Sequence, residues 1–246
     1  MPASDPAPSL ARHALIPASL VACFAMLYVF ALEPVWLLAV VAPLCALYVA
    51  APGIGRRSLA RFDRDALPLL ARRDGPALRA RLARAIGMHL FAPPARVAER
   101  RGMVAAETGA PDRARAAYRA AIGGYPEDRA PVAVRLGLAH ACYALGDDRE
   151  AIRLYRAILK AEGTFPHVER RLAHALARRG EALEDAEELA DAARRQLDDA
   201  EAQLVRALVH ARRGQRGPAK KLLRGARRAE GVDRLREEVE VALEEP

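Results

Sequence analysis

Residues 135–159, which read RLGLAHACYALGDDREAIRLYRAIL, decide the fold of this chain. Gly146 stands in the middle of the stretch, where a residue with a left-handed backbone commonly ends a helix. Apolar side chains recur on both sides of it every three or four residues, at Leu138, Cys142 and Leu145 and again at Ala151, Leu154, Tyr155 and Ile158. That spacing places each group on one face of an α-helix. The stretch therefore predicts two helices joined by a short turn.

The same arrangement recurs along most of the chain. Glycines that interrupt Ala-, Leu- and Arg-rich segments follow one another at intervals of 34, 37, 34 and 34 residues, at Gly75, Gly109, Gly146, Gly180 and Gly214. A period near ~34 residues is typical of helix–turn–helix repeats. A single helix pair cannot bury its apolar face, so neighbouring pairs are expected to stack. Because no stretch alternates as a strand does, we predict an all-α fold.

Small and aromatic residues lie at fixed distances from these glycines. Small residues stand seven positions before a glycine, at Gly102, Ala139, Ala173 and Ala207. Alanine stands five positions after it at Ala114, Ala151 and Ala219, followed four residues later by Tyr118, Tyr155 and Leu223. In these positions the chain resembles the tetratricopeptide repeat family. The resemblance implies a right-handed α-solenoid over 61–233, with segments 61–94 (degenerate), 95–128, 132–165, 166–199 and 200–233 and an acidic capping helix at 234–246.

The N-terminal region has a different composition. Residues 1–12 are rich in Pro, Ser and Ala, and we predict that they are disordered. Residues 14–32 and 35–51 carry no charged side chain. Helices of this length reach roughly 26–28 Å, close to the ~30 Å thickness of the hydrocarbon core of a bilayer.

These two apolar segments predict that residues 13–52 form a transmembrane helical hairpin. Glu33 and Pro34 would make its tight turn, and a basic juxtamembrane linker would follow at 53–60. A re-entrant hairpin remains an alternative, because both segments are short. A cleaved signal peptide is disfavoured because a second apolar stretch follows at once. A buried hairpin in a water-soluble fold is disfavoured because both helices are apolar on every face.

The charges that flank the hairpin predict its orientation. Arg12 precedes it, and a basic belt follows it, formed by Arg56, Arg57, Arg61 and Arg64. Because basic segments stay on the cytoplasmic side, we predict an integral protein of a bacterial inner membrane, with the repeats and both termini in the cytoplasm. The basic belt could also hold anionic lipid headgroups. A plain orientation signal on a solvated helix explains the same arginines.

The resemblance also implies a binding site. Tetratricopeptide solenoids bind a peptide or a helix along the concave face that the first helix of each pair forms. The positions that face this groove in the family correspond to Leu136, His140, Tyr143, His167, Arg170, His174, Arg178, Leu208 and Arg212. Because arginine makes charge-assisted hydrogen bonds to carboxylates, the expected partner is a protein or an acidic peptide. A solvated helix face without a ligand is the alternative reading.

Several other functions find no support in the sequence. The net charge of +8 can attract nucleic acid, acidic partners or lipid, but aromatic residues make up only 5%, so surfaces for base stacking are lacking and nucleic acid is not expected. No phosphate-binding, dinucleotide-binding, hydrolase or zinc-protease motif occurs. We therefore expect no cofactor, no metal and no enzymatic activity.

Three functions fit this reading. The first is a membrane-anchored scaffold that binds a protein partner in its groove. The second is a structural protein of the membrane surface that uses the hairpin and the basic belt. The third is an envelope-assembly factor with its repeats outside the membrane.

Overall fold

The computed structural model describes residues 17–19, 21, 22, 25, 34–126, 129–197, 200–226 and 232–244. Within these residues the chain forms helices and no strand. The helices are α1 (Pro34–Ala71), α2 (Gly75–Ala83), α3 (Ile86–Phe91), α4 (Pro94–Glu107), α5 (Pro111–Gly123), α6 (Val132–Ala144), α7 (Asp148–Glu162), α8 (Pro166–Arg179), α9 (Leu183–Gln196), α10 (Ala200–Arg212), α11 (Arg216–Gly225) and α12 (Asp233–Glu244).

The chain divides into two compact units, residues 1–137 and 138–246, and α6 crosses the division.

The long helix α1 supplies part of the core of the first unit. Phe62 and Ala66 on α1 are buried in one apolar cluster with Leu78, Ala85, Met88, Ala92, Val97 and Val104. Helix α1 packs against α2 and α3, and α4 packs against α5. Asp74 begins α2 by accepting a hydrogen bond from the backbone N–H of Ala77 at 3.0 Å, which satisfies a donor that the first turn leaves free.

The predicted N-terminal hairpin is not supported. Its first helix and its turn lie largely outside the described residues. Its second segment, 35–51, does not form a helix of its own, because α1 continues without a break to Ala71. Residues 53–60, predicted to be a linker, are helical as well.

The predicted membrane localisation is wrong for the part of the chain that the structure describes. No helix among those residues is both long and apolar enough to cross a membrane. The apolar segment 35–51 runs directly into the basic belt in the same helix, with Arg56 and Arg57 five and six residues beyond Ala51. The orientation predicted for the repeats and termini depended on that span and is not supported either.

Four of the five periodic glycines end helices as the sequence predicts. The backbone is left-handed at each, with φ values of 69°, 76°, 65° and 73° at Gly109, Gly146, Gly180 and Gly214. A side chain with a Cβ is strained in this conformation. Gly75 differs, because it is the first residue of α2 and Arg73 takes the left-handed conformation before it, with φ 53°.

The second unit is built from helix pairs. Helix α8 packs against α7, α9 and α10, and α10 packs against α9, α11 and α12. Fully buried alanines occupy the small-residue positions of the repeats, at Ala139, Ala173 and Ala207 in first helices and Ala151 and Ala219 in second helices. Ala186 is also fully buried, one position later than this spacing predicts. These contacts place the first helices α8 and α10 side by side, with α12 next to α10.

Candidate partner-binding site

A cleft opens in the second unit beside the two neighbouring first helices. Its volume is about 400 Å³, and its walls come from α8, α10 and α12. The lining residues are Arg178, Leu208, Arg212, Arg234, Glu237, Glu238 and Val241. Three of the nine predicted groove residues, Arg178, Leu208 and Arg212, therefore line one cleft, and the acidic helix α12 closes one side of it.

A chain of polar contacts joins α6, α8 and α12 at this cleft. The Tyr143 hydroxyl makes a hydrogen bond with Nδ1 of His174, and Nε2 of His174 lies 2.7 Å from Oε2 of Glu238. His174 is buried. The hydrogen bond from His174 is the main reason why the pKa of Glu238 is lowered. Glu238 is thus held as a carboxylate on the predicted groove.

Arg178 also contacts Tyr143. It forms an ion pair with Asp148, and its Nη2 donates to the backbone oxygen of Tyr143 at 3.4 Å. Its guanidinium carbon lies 4.6 Å from the centre of the Tyr143 ring, within range of a cation–π contact. Burial raises the pKa of Tyr143 to about 12 despite the nearby Arg178, so the phenol stays protonated and able to donate a hydrogen bond.

The other predicted groove residues have different surroundings. His140 lies against Tyr155, with ring centres 5.8 Å apart, and burial lowers its pKa to about 3, so its ring is neutral near pH 7. Arg170 is buried and pairs with Glu201 at 2.8 Å. His167 is exposed, and Leu136 belongs to the first unit. Their role in binding stays a prediction.

Five residues that line the cleft or pair with its Arg178 were not among those predicted. They are Asp148, Arg234, Glu237, Glu238 and Val241. Four of them belong to α12, whose acidic composition is visible in the sequence but predicts only a polar cap. The missing information was the position of α12 beside α10, which no local pattern carries.

The basic belt lies on α1 in the first unit. Arg56, Arg57, Arg61 and Arg64 are all exposed, as a charged helix face should be. Nothing in their surroundings supports contact with a lipid. In the part of the chain that the structure covers, no three His, Cys, Asp or Glu side chains come close enough together to hold a metal ion.

Comparison with known proteins agrees with the helical-repeat architecture. Residues 105–173 match the tetratricopeptide repeat family. A solved structure described as MamA MSR-1 C2 is similar with a TM-score of 0.53 and 16% identity, covering 69% of this chain and 98% of that one. The P58(IPK) TPR domain gives a TM-score of 0.34 and 15% identity over 82% of this chain and 67% of that one, too low to bear on the fold. No curated protein matches the chain.

Fold and family match together define the class of the protein. It is an all-helical repeat scaffold, an architecture that suggests protein–protein interaction. The match over 105–173 and the helix pairs support the tetratricopeptide repeat superfamily. At 16% identity the similarity to MamA MSR-1 C2 concerns the fold alone.

Acidification is expected to weaken the attachment of α12. Because the folded-state pKa of Glu238 lies below its ordinary value of 4.5, the carboxylate stabilises the fold fully above about pH 5 and loses this effect as pH falls through the lowered value. Glu238→Gln should therefore lower the Tm by about 2–4 °C at pH 6, and the difference from wild type should shrink as pH falls below 4.5. Thermal unfolding followed by circular dichroism measures it, and a difference that does not change with pH would contradict the assignment.

Proposed function

We propose that the chain is a scaffold that binds an acidic segment of a protein partner at the cleft between α8, α10 and α12. The observation that carries the proposal is the lining of this cleft. Arg178, Arg212 and Arg234 bring three guanidinium groups to its walls, against the two carboxylates of Glu237 and Glu238. The apolar side chains of Leu208 and Val241 lie beside them. Guanidinium groups recognise carboxylates with directed hydrogen bonds, and apolar neighbours supply the contact area that peptide recognition requires.

The position of the cleft supports the proposal as well. It adjoins the first helices α8 and α10, which are the helices that form the peptide-binding face in tetratricopeptide solenoids. Arg170 and Arg178 already pair with Glu201 and Asp148. Reversing the charge of Arg170 or Arg178 would break these two ion pairs, so the test uses the exposed Arg234 together with Arg212.

Charge reversal at the rim of the cleft tests this function. We expect Arg212→Glu combined with Arg234→Glu to reduce crosslinking to the partner at least tenfold, because two attractive charges become repulsive. Lys220→Glu combined with Arg224→Glu is the matched control, since it changes the net charge equally at exposed positions of α11. The measurement is crosslinking and mass spectrometry in the native host. Equal recovery of the same partners by all three chains would contradict the proposal.

A further inference from the structure

Another pocket of the second unit lies on a different face of α10 from the cleft. Its volume is about 460 Å³, and its walls come from α9, α10 and α11. On α10 it is lined by Gln203, Arg206 and His210, whereas the cleft uses Leu208 and Arg212 of the same helix. Residues three or four positions apart share a helix face, so these two sets face different sides of α10. The other residues that line this basic pocket are Arg194, Pro218, Lys221, Leu222 and Gly225.

Cationic side chains come together at the basic pocket from three helices. Arg194 comes from α9, Arg206 from α10 and Lys221 from α11. Among the described residues that line the pocket, none carries a carboxylate. The cleft differs in this respect, because Glu237 and Glu238 form part of its wall. A concave surface lined by charges of one sign favours a ligand of the opposite sign, so the basic pocket favours an anion.

Two carboxylates lie next to the basic pocket, and each is paired with an arginine. Oδ1 of Asp191 lies 2.6 Å from Nε of Arg206, and Glu187 pairs with Arg213. The Nε–H is one of the five N–H donors of a guanidinium group, so this ion pair orients Arg206 and leaves its remaining donors for a ligand. The positive charge of each arginine is balanced by its carboxylate.

The charge beyond these balanced pairs matches a phosphate monoester. Arg194 and Lys221 contribute two further positive charges to the lining. A phosphate monoester carries close to two negative charges above pH 7, since its second pKa is about 6, whereas a carboxylate carries one. Pro218 and Leu222 in the same lining offer an apolar surface to the organic group of such an ester.

We propose that the basic pocket binds the phosphate monoester of a small organic molecule. Arg194, Arg206 and Lys221 donate hydrogen bonds to the phosphate oxygens, which are strong acceptors for charged donors. The His210 ring is held by a hydrogen bond of 2.6 Å between its Nδ1 and Oε1 of Gln215, so Nε2 is the ring nitrogen that meets the ligand. The inference goes beyond the proposed function, because it assigns a different ligand to a different face of α10.

Two matched pairs of charge reversals test the proposal in the full chain. Arg194→Glu combined with Lys221→Glu changes the lining of the basic pocket. Arg195→Glu combined with Lys220→Glu is the control, since these exposed residues are the immediate neighbours of the first two on α9 and α11 and do not line the pocket. Both variants change the net charge equally. The probe is phenyl phosphate at pH 8 and constant ionic strength, and its Kd is measured from the nuclear magnetic resonance shifts of the backbone amides of α9, α10 and α11.

We expect the variant with the altered pocket to bind phenyl phosphate at least tenfold more weakly than the wild-type and control chains do, because two attractive charges become repulsive. The wild-type chain should bind phenyl sulfate, which has a similar shape but a single negative charge, at least threefold more weakly than phenyl phosphate. Equal weakening in both variants would show a general attraction of anions and overturn the proposal. Equal Kd values for the two probes, or no amide shifts at tens of millimolar phenyl phosphate, would overturn it as well.

A milder variant covers the case in which the charge reversals disturb the fold. Arg194→Gln combined with Lys221→Gln should keep the helical circular dichroism and weaken the binding of phenyl phosphate at least threefold. A Kd equal to that of wild type would contradict the proposal.

The variant of the cleft separates this inference from the proposed function. Arg212→Glu combined with Arg234→Glu should bind phenyl phosphate within threefold of wild type, even where its crosslinking to a protein partner is lost. An equal loss of phenyl phosphate binding in this variant would show that the basic pocket is not a separate site. Loss of partner crosslinking and loss of phosphate binding are thus measured on different residues, and either proposal can fail alone.

Discussion

Gly55→Ala is expected to destabilise the first unit by about 2–3 kcal/mol and to lower its Tm by roughly 4–12 °C. A Cβ at this position would lie 2.7 Å from the carbonyl carbon of Phe91 and closer still to its oxygen. Because the obstacle is backbone and not the end of a flexible side chain, α1 and α3 must move apart. Their separation would disturb the core that Phe62 and Met88 share.

Gly53→Ala is the matched control for this prediction. Gly53 lies two residues earlier in the same helix, and nothing would lie within 4 Å of its Cβ. Alanine favours a helix over glycine by roughly 1 kcal/mol, so this variant should be neutral or slightly more stable than wild type. Differential scanning calorimetry of both variants measures the contrast. Similar Tm values for the two would show that α1 and α3 do not approach closely at Gly55.

The repeat architecture could be predicted because it depends on local sequence patterns. The glycine period set four helix ends, and small residues marked where helices cross. Gly102 illustrates the second rule, since a Cβ there would lie 2.9 Å from the ring of Tyr118. Both residues were singled out by their distance from the nearest periodic glycine. Short-range rules of this kind depend on neighbours within one or two turns of helix, which the sequence states directly.

The N-terminal region could not be predicted by the same rules. An uncharged stretch such as 35–51 has the length and composition of a membrane span, and Gly53 and Gly55 resemble the start of a linker. Gly55 is instead a residue of α1 that lets Phe91 approach. Hydropathy carries no information on whether a glycine ends a helix or admits a neighbouring backbone. Only the position of α3 distinguishes these two roles.

The sequence predicted some of the residues that form the candidate site and missed others. The positions that correspond to the family's groove include Tyr143, His174 and Arg178, and these residues contact one another in the second unit. Glu238 was missed because it comes from a helix 64 residues further along the chain. Sequence periodicity predicts which face of a helix is used, whereas a contact across that distance depends on how separate helices pack.

Tyr155→Ala is the second large effect that we expect, with a loss of about 3–5 kcal/mol and a fall in Tm of roughly 6–20 °C. The Tyr155 side chain is fully buried on α7, and its ring centre lies 5.8 Å from that of His140 and 6.4 Å from that of Tyr143. Removing the ring leaves a cavity beneath two residues of the predicted groove. Tyr155→Phe keeps the ring and removes only the hydroxyl, so its stability should stay within about 1 kcal/mol of wild type.

The same pair of variants separates a local from a general effect on the site. Burial is the main reason why the pKa of His140 is lowered to about 3. Opening a cavity beside the imidazole lets water reach it, so in Tyr155→Ala the pKa should rise towards its ordinary value of 6.5. Tyr155→Phe should leave it low. Nuclear magnetic resonance titration of the histidine ring protons follows the change below the Tm of each variant. A His140 that titrates near 6.5 already in wild type would mean that Tyr155 does not shield it, and that the floor of the groove is open to water.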